Sequence, residues 1–230
     1  MEKVLVIAAH PDDEILGCGG SIIEHIKQKD KVGIIIAAEG ITSRDNSRNI
    51  KKREKEVQKL HFVSKKIAKN LKVNFIEFLQ LPDNRLDSLD LLDLVKKIEK
   101  IIIKFKPKTI YTHHSGDLNI DHRLINNATI TACRPYPGQT VEKVLTFEIP
   151  SSTNWAEAQK ESTFIPNYYR EITKSLKNKI KFLSMYKDEM RRWPHARSIK
   201  AVESLAHYRG STIGVKSAEA FQVVRYIKKN

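Results

Sequence analysis

Short apolar runs recur through the first two thirds of this chain, each followed by a stretch of helical periodicity, and that alternation constrains the fold more than any other feature. Val4 to Ala9 is an apolar run followed by Gly17, Gly19 and Gly20 and then Ser21 to Ile26, which reads as strand, loop and helix. Lys31 to Ala38 reads as a buried strand, about Asn46 to Asn70 as a helix, Val73 to Phe78 as a strand and Asp90 to Phe105 as a helix stopped by Pro107. Thr109 to Thr112 makes a fourth strand, His122 to Cys133 a helix and Lys143 to Phe147 a fifth strand. Strands that alternate with helices imply right-handed βαβ units. The expected fold class is therefore α/β, a Rossmann-like, mostly parallel sheet with helices on both faces.

The regularity ends near residue 150. Pro150 to Tyr169 is rich in Ser, Thr, Asn, Pro and aromatic residues and reads as a long functional loop. Ile172 to Met190 has the period of an amphipathic helix, Trp193-Pro194-His195 breaks the pattern, Ser198 to Tyr208 reads as a further helix, and Phe221 to Ile227 is a short apolar end. No repeat or low-complexity linker divides the chain. Residues 1–230 are thus expected to form one domain, with 1–149 as the Rossmann-like core and 150–230 as a loop and helical segment completing the site.

A formal charge of +14 raises the question of nucleic acid. Its distribution argues otherwise, because the lysines are scattered over helical segments such as Lys51 to Glu56 and Lys174 to Lys181, mixed with acids or apolar positions and with no aromatic-interleaved stripe. Hydrophobic residues make up 40% of the chain and charged ones 30%, and no apolar run approaches the roughly 18 residues of a membrane span, so no transmembrane segment is expected. Nor does the N-terminus carry the pattern of a signal peptide. Cys18 and Cys133 read as small buried side chains in a reducing, cytoplasmic setting.

Two polar clusters follow predicted strands directly: His10-Pro11-Asp12-Asp13-Glu14 after the first, and His113-His114-Ser115-Gly116-Asp117-Leu118-Asn119-Ile120-Asp121-His122 after the fourth. These strands are neighbours in a Rossmann sheet, and ligands bind outside the carboxyl ends of such strands. Each cluster alone reads as a turn with caps. Together they gather polar groups whose burial costs free energy unless something charged binds them. Three imidazole or carboxylate donors with a fourth position open make a catalytic zinc site, and His10, Asp13 and His122 can supply that set. Asp12, beside a ligand, is the candidate base. A dinucleotide site is disfavoured because these carboxylates would repel a pyrophosphate and the Gly-x-Gly-x-x-Gly spacing is absent.

His10-Pro11-Asp12-Asp13-Glu14 before Gly17-Cys18-Gly19-Gly20 resembles the signature of the PIG-L/LmbE deacetylases, which act on N-acetylglucosamine conjugates. The resemblance extends to Asp117 to Arg123, to Leu81-Pro82-Asp83-Asn84-Arg85-Leu86 and to Ala218-Glu219-Ala220-Phe221. It implies one Zn²⁺ per chain on His10, Asp13 and His122, Asp12 as general base, and Arg53 and Asp83 as residues that hold sugar hydroxyls. One departure stands out: relatives carry a histidine three residues before the last ligand, where this chain has Asn119. An amide donates a hydrogen bond but carries no charge, so oxyanion stabilisation would shift towards zinc, His113 or His114. Asp121 has two readings, orienting a ligand imidazole or capping a helix, and Trp193 to Ser198 either lines the cleft or simply begins a helix.

The function implied is hydrolysis of the acetamide of an N-acetylated amino sugar or its conjugate, a small-molecule partner, with a homo-oligomer possible. A deformylase or thiol-conjugate amidase would use the same site. A basic nucleic-acid-binding domain, with structural acids, is the reading from another class.

Overall fold

A computed structural model describes residues 1–159 and 162–228. Two residues of the Pro150–Tyr169 segment and the last two of the chain therefore lie outside the described residues. Seven strands form one sheet in the order β3-β2-β1-β4-β5-β7-β6. The strands are β1 (Lys3–Ala8), β2 (Lys31–Ala38), β3 (Phe75–Leu81), β4 (Thr109–His113), β5 (Lys143–Phe147), β6 (Tyr168–Glu171) and β7 (Ala218–Tyr226). β1 to β5 run parallel, while β7 is antiparallel to both β5 and β6. The helices are α1 (Asp13–Lys27), α2 (Ile50–Leu71), α3 (Leu91–Phe105), α4 (Ile120–Ala132), α5 (Leu176–Leu183) and α6 (Ile199–Ser211).

Successive side chains of a strand face opposite ways, so a strand covered on both faces is apolar throughout. β1 does this: Val4 and Val6 belong to the core layer that includes side chains of α1, α2, α5 and α6, whereas Leu5 and Ile7 belong to the layer that includes α3 and α4. The expected mostly parallel sheet with helices on both faces is present. Among the described residues, no helix is long and apolar enough to cross a membrane.

Three sequence expectations need correction. The Gly-rich stretch after β1 is no loop, because α1 starts at Asp13 and contains all three glycines. They are needed for close packing rather than for a turn: a Cβ on Gly17 would lie 2.3 Å from Phe147 Cδ2, and one on Gly20 2.6 Å from Ile172 Cγ2. Helical geometry breaks inside α1 at Cys18 (φ −146°, ψ 24°), so its second half begins with N–H groups that lack intrahelical acceptors. Glu219 of β7 accepts them, Gly20 N at 2.8 Å and Ser21 N at 2.7 Å. The anticipated helix over Ile172 to Met190 forms only at Leu176–Leu183, after which Tyr186 turns inward and is buried. Finally, the segment read as loop ends in β6, and the apolar tail is a nine-residue strand that starts earlier, at Ala218.

Candidate active site

β1 and β4 are paired, so the turns at their carboxyl ends lie side by side. β1 is followed by a turn that places Asp12 at φ 108°, ψ −30°, a region sparsely used by residues other than glycine. α4 follows β4 after a short loop, with Asn119 as its cap; the Asn119 side-chain oxygen accepts from Asp121 N at 2.8 Å and His122 N at 3.4 Å. Asn119 thus does what was half expected of Asp121. These two turns bring His10, Asp13 and His122 together, with one donor atom of each within 4.8 Å of the others. Asp13 Oδ2 lies 3.2 Å from His10 Nδ1 and 3.1 Å from His122 Nε2, and the two imidazole nitrogens are 3.3 Å apart.

The nitrogen of each imidazole that faces away from this centre is held by a carboxylate. His10 Nε2 lies 3.1 Å from Asp121 Oδ2 and 3.2 Å from Asp83 Oδ1. His122 Nδ1 lies 3.1 Å from Asp117 Oδ1. Carboxylates behind metal-binding histidines fix the tautomer and raise the basicity of the donor nitrogen. Asp121 is itself pinned by N–H groups of Asn84 (2.7 Å) and Leu86 (3.1 Å), and Asp117 by the hydroxyls of Ser152 and Thr153. Asp117 was quoted in the sequence only as part of a motif. The recurrent partnership of carboxylate and histidine was the signal that singles it out.

Burial and charge act against each other throughout the cluster. Burial alone would raise Asp13, yet the neighbouring His122 and His10 imidazoles outweigh it and hold the carboxyl well below the usual range. Burial works against protonated His122 too, but Asp13 and Asp117 raise it to about 9. Asp12 is pushed well above the usual carboxylate range by burial, with the Arg197 guanidinium pulling the other way. Two carboxylate oxygens here, Asp12 Oδ1 and Asp13 Oδ1, are buried without a hydrogen-bond partner, although Arg197 Nη2 lies 3.9 Å from the second. Buried polar atoms are nearly always bonded, so such a pair marks the place where something else binds. The donor set fits a divalent ion: two imidazoles, a carboxylate, no thiolate and a free carboxylate oxygen.

Asp12 and His10 open into a cleft of about 270 Å³, which Asp83, Asn84, Asn119, Ser43, Arg44, Trp155, Glu189, Arg191, His195 and Arg197 also line. Of the anticipated substrate-binding residues, Asp83 and Asn119 reach this cleft. His113 does not: it is fully buried, its Nε2 accepts from Ala9 N at 2.8 Å, and its ring stacks on His122 at 3.9 Å between centroids. Arg53 does not line the cleft either, being paired with Asp45 at 2.7 Å and with Glu56 at 2.7 Å on the side of α2. The segment Trp193 to Ser198 does both things read for it, lining the cleft through His195 and Arg197 and starting α6 with Ser198 as the cap.

A mostly parallel seven-stranded sheet with histidines and aspartates gathered at its carboxyl edge is the build of the PIG-L/LmbE-type fold. The chain belongs to the PIG-L family: the family model described as GlcNAc-PI de-N-acetylase matches residues 5–133. It is 33% identical over 174 residues to the uncharacterized deacetylase YaiS of Escherichia coli strain K12, a match covering 74% of this chain and 81% of that protein. The fold is similar to that of N,N'-diacetylchitobiose deacetylase from Pyrococcus horikoshii, with a TM-score of 0.76 at 20% identity over 97% of this chain and 84% of that one. It is also similar to GalB, the 4-carboxy-2-hydroxymuconate hydratase from Pseudomonas putida KT2440, with a TM-score of 0.75 at 20% identity over 100% of this chain and 99% of that one. Since a deacetylase and a hydratase share this fold, the reaction has to be argued from the site.

Proposed function

We propose that this protein is a metal-dependent N-deacetylase that hydrolyses the acetamide of an N-acetylated amino sugar or a conjugate of one. The observation that carries the reading is the pairing of an open His10–Asp13–His122 donor set with the unpartnered oxygen of Asp12 at the floor of a polar cleft. Residues 1–230 act as one domain in this reading, because the cleft draws on β1 and β4 turns and on the Arg197 segment near the end of the chain. Family membership and the diacetylchitobiose deacetylase likeness support an acetamido sugar.

His10, Asp13 and His122 would hold the ion, a zinc in our reading, with Asp121 and Asp117 orienting the two imidazoles. A bound divalent ion polarises the amide carbonyl and makes the attacking water more acidic. Asp12 accepts the proton of that water as its oxygen bonds to the carbonyl carbon, and returns it to the nitrogen as the C–N bond breaks. Acetate and the free amine leave. Asp83 and Asn119, both in the cleft, would meet sugar hydroxyls in this reading, and a polar lining of this kind discriminates strongly because an analogue lacking the hydroxyl leaves the site unpaired.

The test is a panel of N-acetylated and N-formylated sugars, nucleotide sugars and thiol conjugates, assayed for released acid with added zinc and with chelator. Acetate release from at least one acetamido sugar, abolished by chelator, is the expected result. Turnover only of formyl substrates, or of none, would contradict the proposal.

A further inference from the structure

Asp12 is held from two directions, and only one of them is local. Its backbone N–H donates to Glu14 Oε2 at 3.0 Å, and Glu14 takes the Tyr186 hydroxyl on its other oxygen at 2.6 Å. The Asp12 carbonyl accepts from Ile15 N and Leu16 N. These bonds keep the backbone at a positive φ that residues with a side chain rarely adopt. They do not set the direction of the carboxyl group. That is done by Arg197, 185 positions away, whose Nη1 donates to Asp12 Oδ2 at 2.9 Å.

Arg197 is itself anchored. Its Nε donates to Ser151 Oγ at 2.8 Å, its backbone N donates to His195 Nδ1 at 3.0 Å, and its carbonyl accepts from Arg191 N at 3.2 Å. Its Nη2 lies 3.9 Å from Asp13 Oδ1. A planar guanidinium can engage Ser151 and Asp12 at the same time along fixed directions, which a lysine ammonium cannot. With Oδ2 occupied, the only free oxygen of Asp12 is Oδ1, buried and without a protein partner. A surface ion pair would not behave this way: Asp12 is 1% exposed and leads into the cleft that Arg197 also lines.

We propose that Arg197 is a positioning residue for Asp12, clamping Oδ2 so that Oδ1 is the oxygen presented to the reacting water; this rests on the deacetylase reading above. Arg197 forms no bond to substrate in this role. Its hydrogen bond goes to Asp12, whereas Asp13 is only approached at 3.9 Å, so its effect on turnover should follow Asp12 rather than substrate binding.

The experiment is a double-mutant cycle over wild type, Arg197→Ala, Asp12→Asn and the double variant, measuring kcat, KM and zinc content on an acetamido sugar that the wild type hydrolyses. Arg197→Ala should lower kcat roughly 10- to 100-fold, the range seen when a supporting partner is removed, while KM and zinc content stay near wild type. Added guanidinium should restore part of the loss. Arg197→Lys, which keeps the charge and serves if the alanine variant does not fold, should lose less. In the Asp12→Asn background, removing Arg197 should cost nothing further. Equal losses in both backgrounds, or a rise in KM with kcat unchanged, would overturn the positioning role and leave Asp12 as the base. Full activity of Asp12→Asn would overturn the role together with the base assignment on which it rests.

Discussion

Helix α1 serves two buried charge clusters, one at its first turn and one at its kink, and they differ in a single respect. At the kink, Glu219 is surrounded by donors: Oε1 accepts from Gly20 N and from Lys179 Nζ at 2.7 Å, and Oε2 from Ser21 N and Ser21 Oγ, each at 2.7 Å. Lys179 Nζ also donates to Leu16 O at 2.8 Å, a carbonyl next to the break in the helix. Neither residue has an atom left without a partner. At the first turn, Asp12 and Asp13 each keep one oxygen without a hydrogen bond. Both clusters bury acids and bases, so burial and charge alone do not distinguish structure from function. Between these two clusters, completeness of the hydrogen bonding does.

That distinction predicts opposite responses to substitution. Asp12→Asn keeps an acceptor for Arg197 but removes the charge that would take the proton, so kcat should fall ~10²- to 10⁴-fold, the usual contribution of general-base catalysis, with zinc content held. Loss of zinc instead would make Asp12 a ligand. Glu219→Ala should do the reverse: it leaves Lys179 buried and uncompensated, a change that costs about 3–5 kcal/mol, read as a large drop in denaturation midpoint with zinc content per folded chain unchanged. An unaltered midpoint would show the kink needs no cap. Between these extremes lie Asp117→Asn and Asp121→Asn, which loosen the imidazoles without touching the donor set. Zinc affinity should weaken ~10- to 100-fold in each, measured by competition with a chromogenic chelator.

The smallest effect concerns the two residues first assigned to sugar hydroxyls on the same footing. Asp83 lines the cleft and accepts from Ser43 N at 2.9 Å, whereas Arg53 spends its guanidinium on Asp45 and Glu56. Asp83→Ala should raise KM severalfold on a full sugar and little on a truncated acetamide once both are measured at saturating zinc, since Asp83 also lies against His10 Nε2 and its loss should weaken zinc binding as well. Arg53→Ala should change KM on either substrate less than twofold. A larger KM effect at Arg53 would mean that α2 approaches the cleft when substrate binds.

The parallel core was legible because period and composition agree there: β1, β2, β4 and β5 are apolar runs bounded by polar turns, and their ends fell within a residue or two of expectation. The clusters after β1 and β4 were legible for the same reason, since strand pairing alone places them side by side. What sequence missed depends on contacts between distant segments. Glycines that signal a turn in isolation lie inside α1 because Phe147 and Ile172 press against them. Glu219 gave no local hint that it caps a helix 198 positions away, and β6 is a four-residue edge strand that exists through its pairing with β7. Arg197 belongs to a segment that reads either as cleft lining or as a helix start, and only the folded chain brings it to Asp12.

In the proposed reaction, deacetylation depends on one divalent ion held by His10, Asp13 and His122. Stripping the protein with chelator and titrating zinc back while recording both bound metal and acetate release tests it most directly. Activity should rise in proportion to zinc, reach its plateau at one equivalent per chain, and stay at background throughout in a His10→Ala, His122→Ala variant that no longer retains the ion. Full turnover by the stripped protein, or undiminished zinc in the double variant, would contradict it.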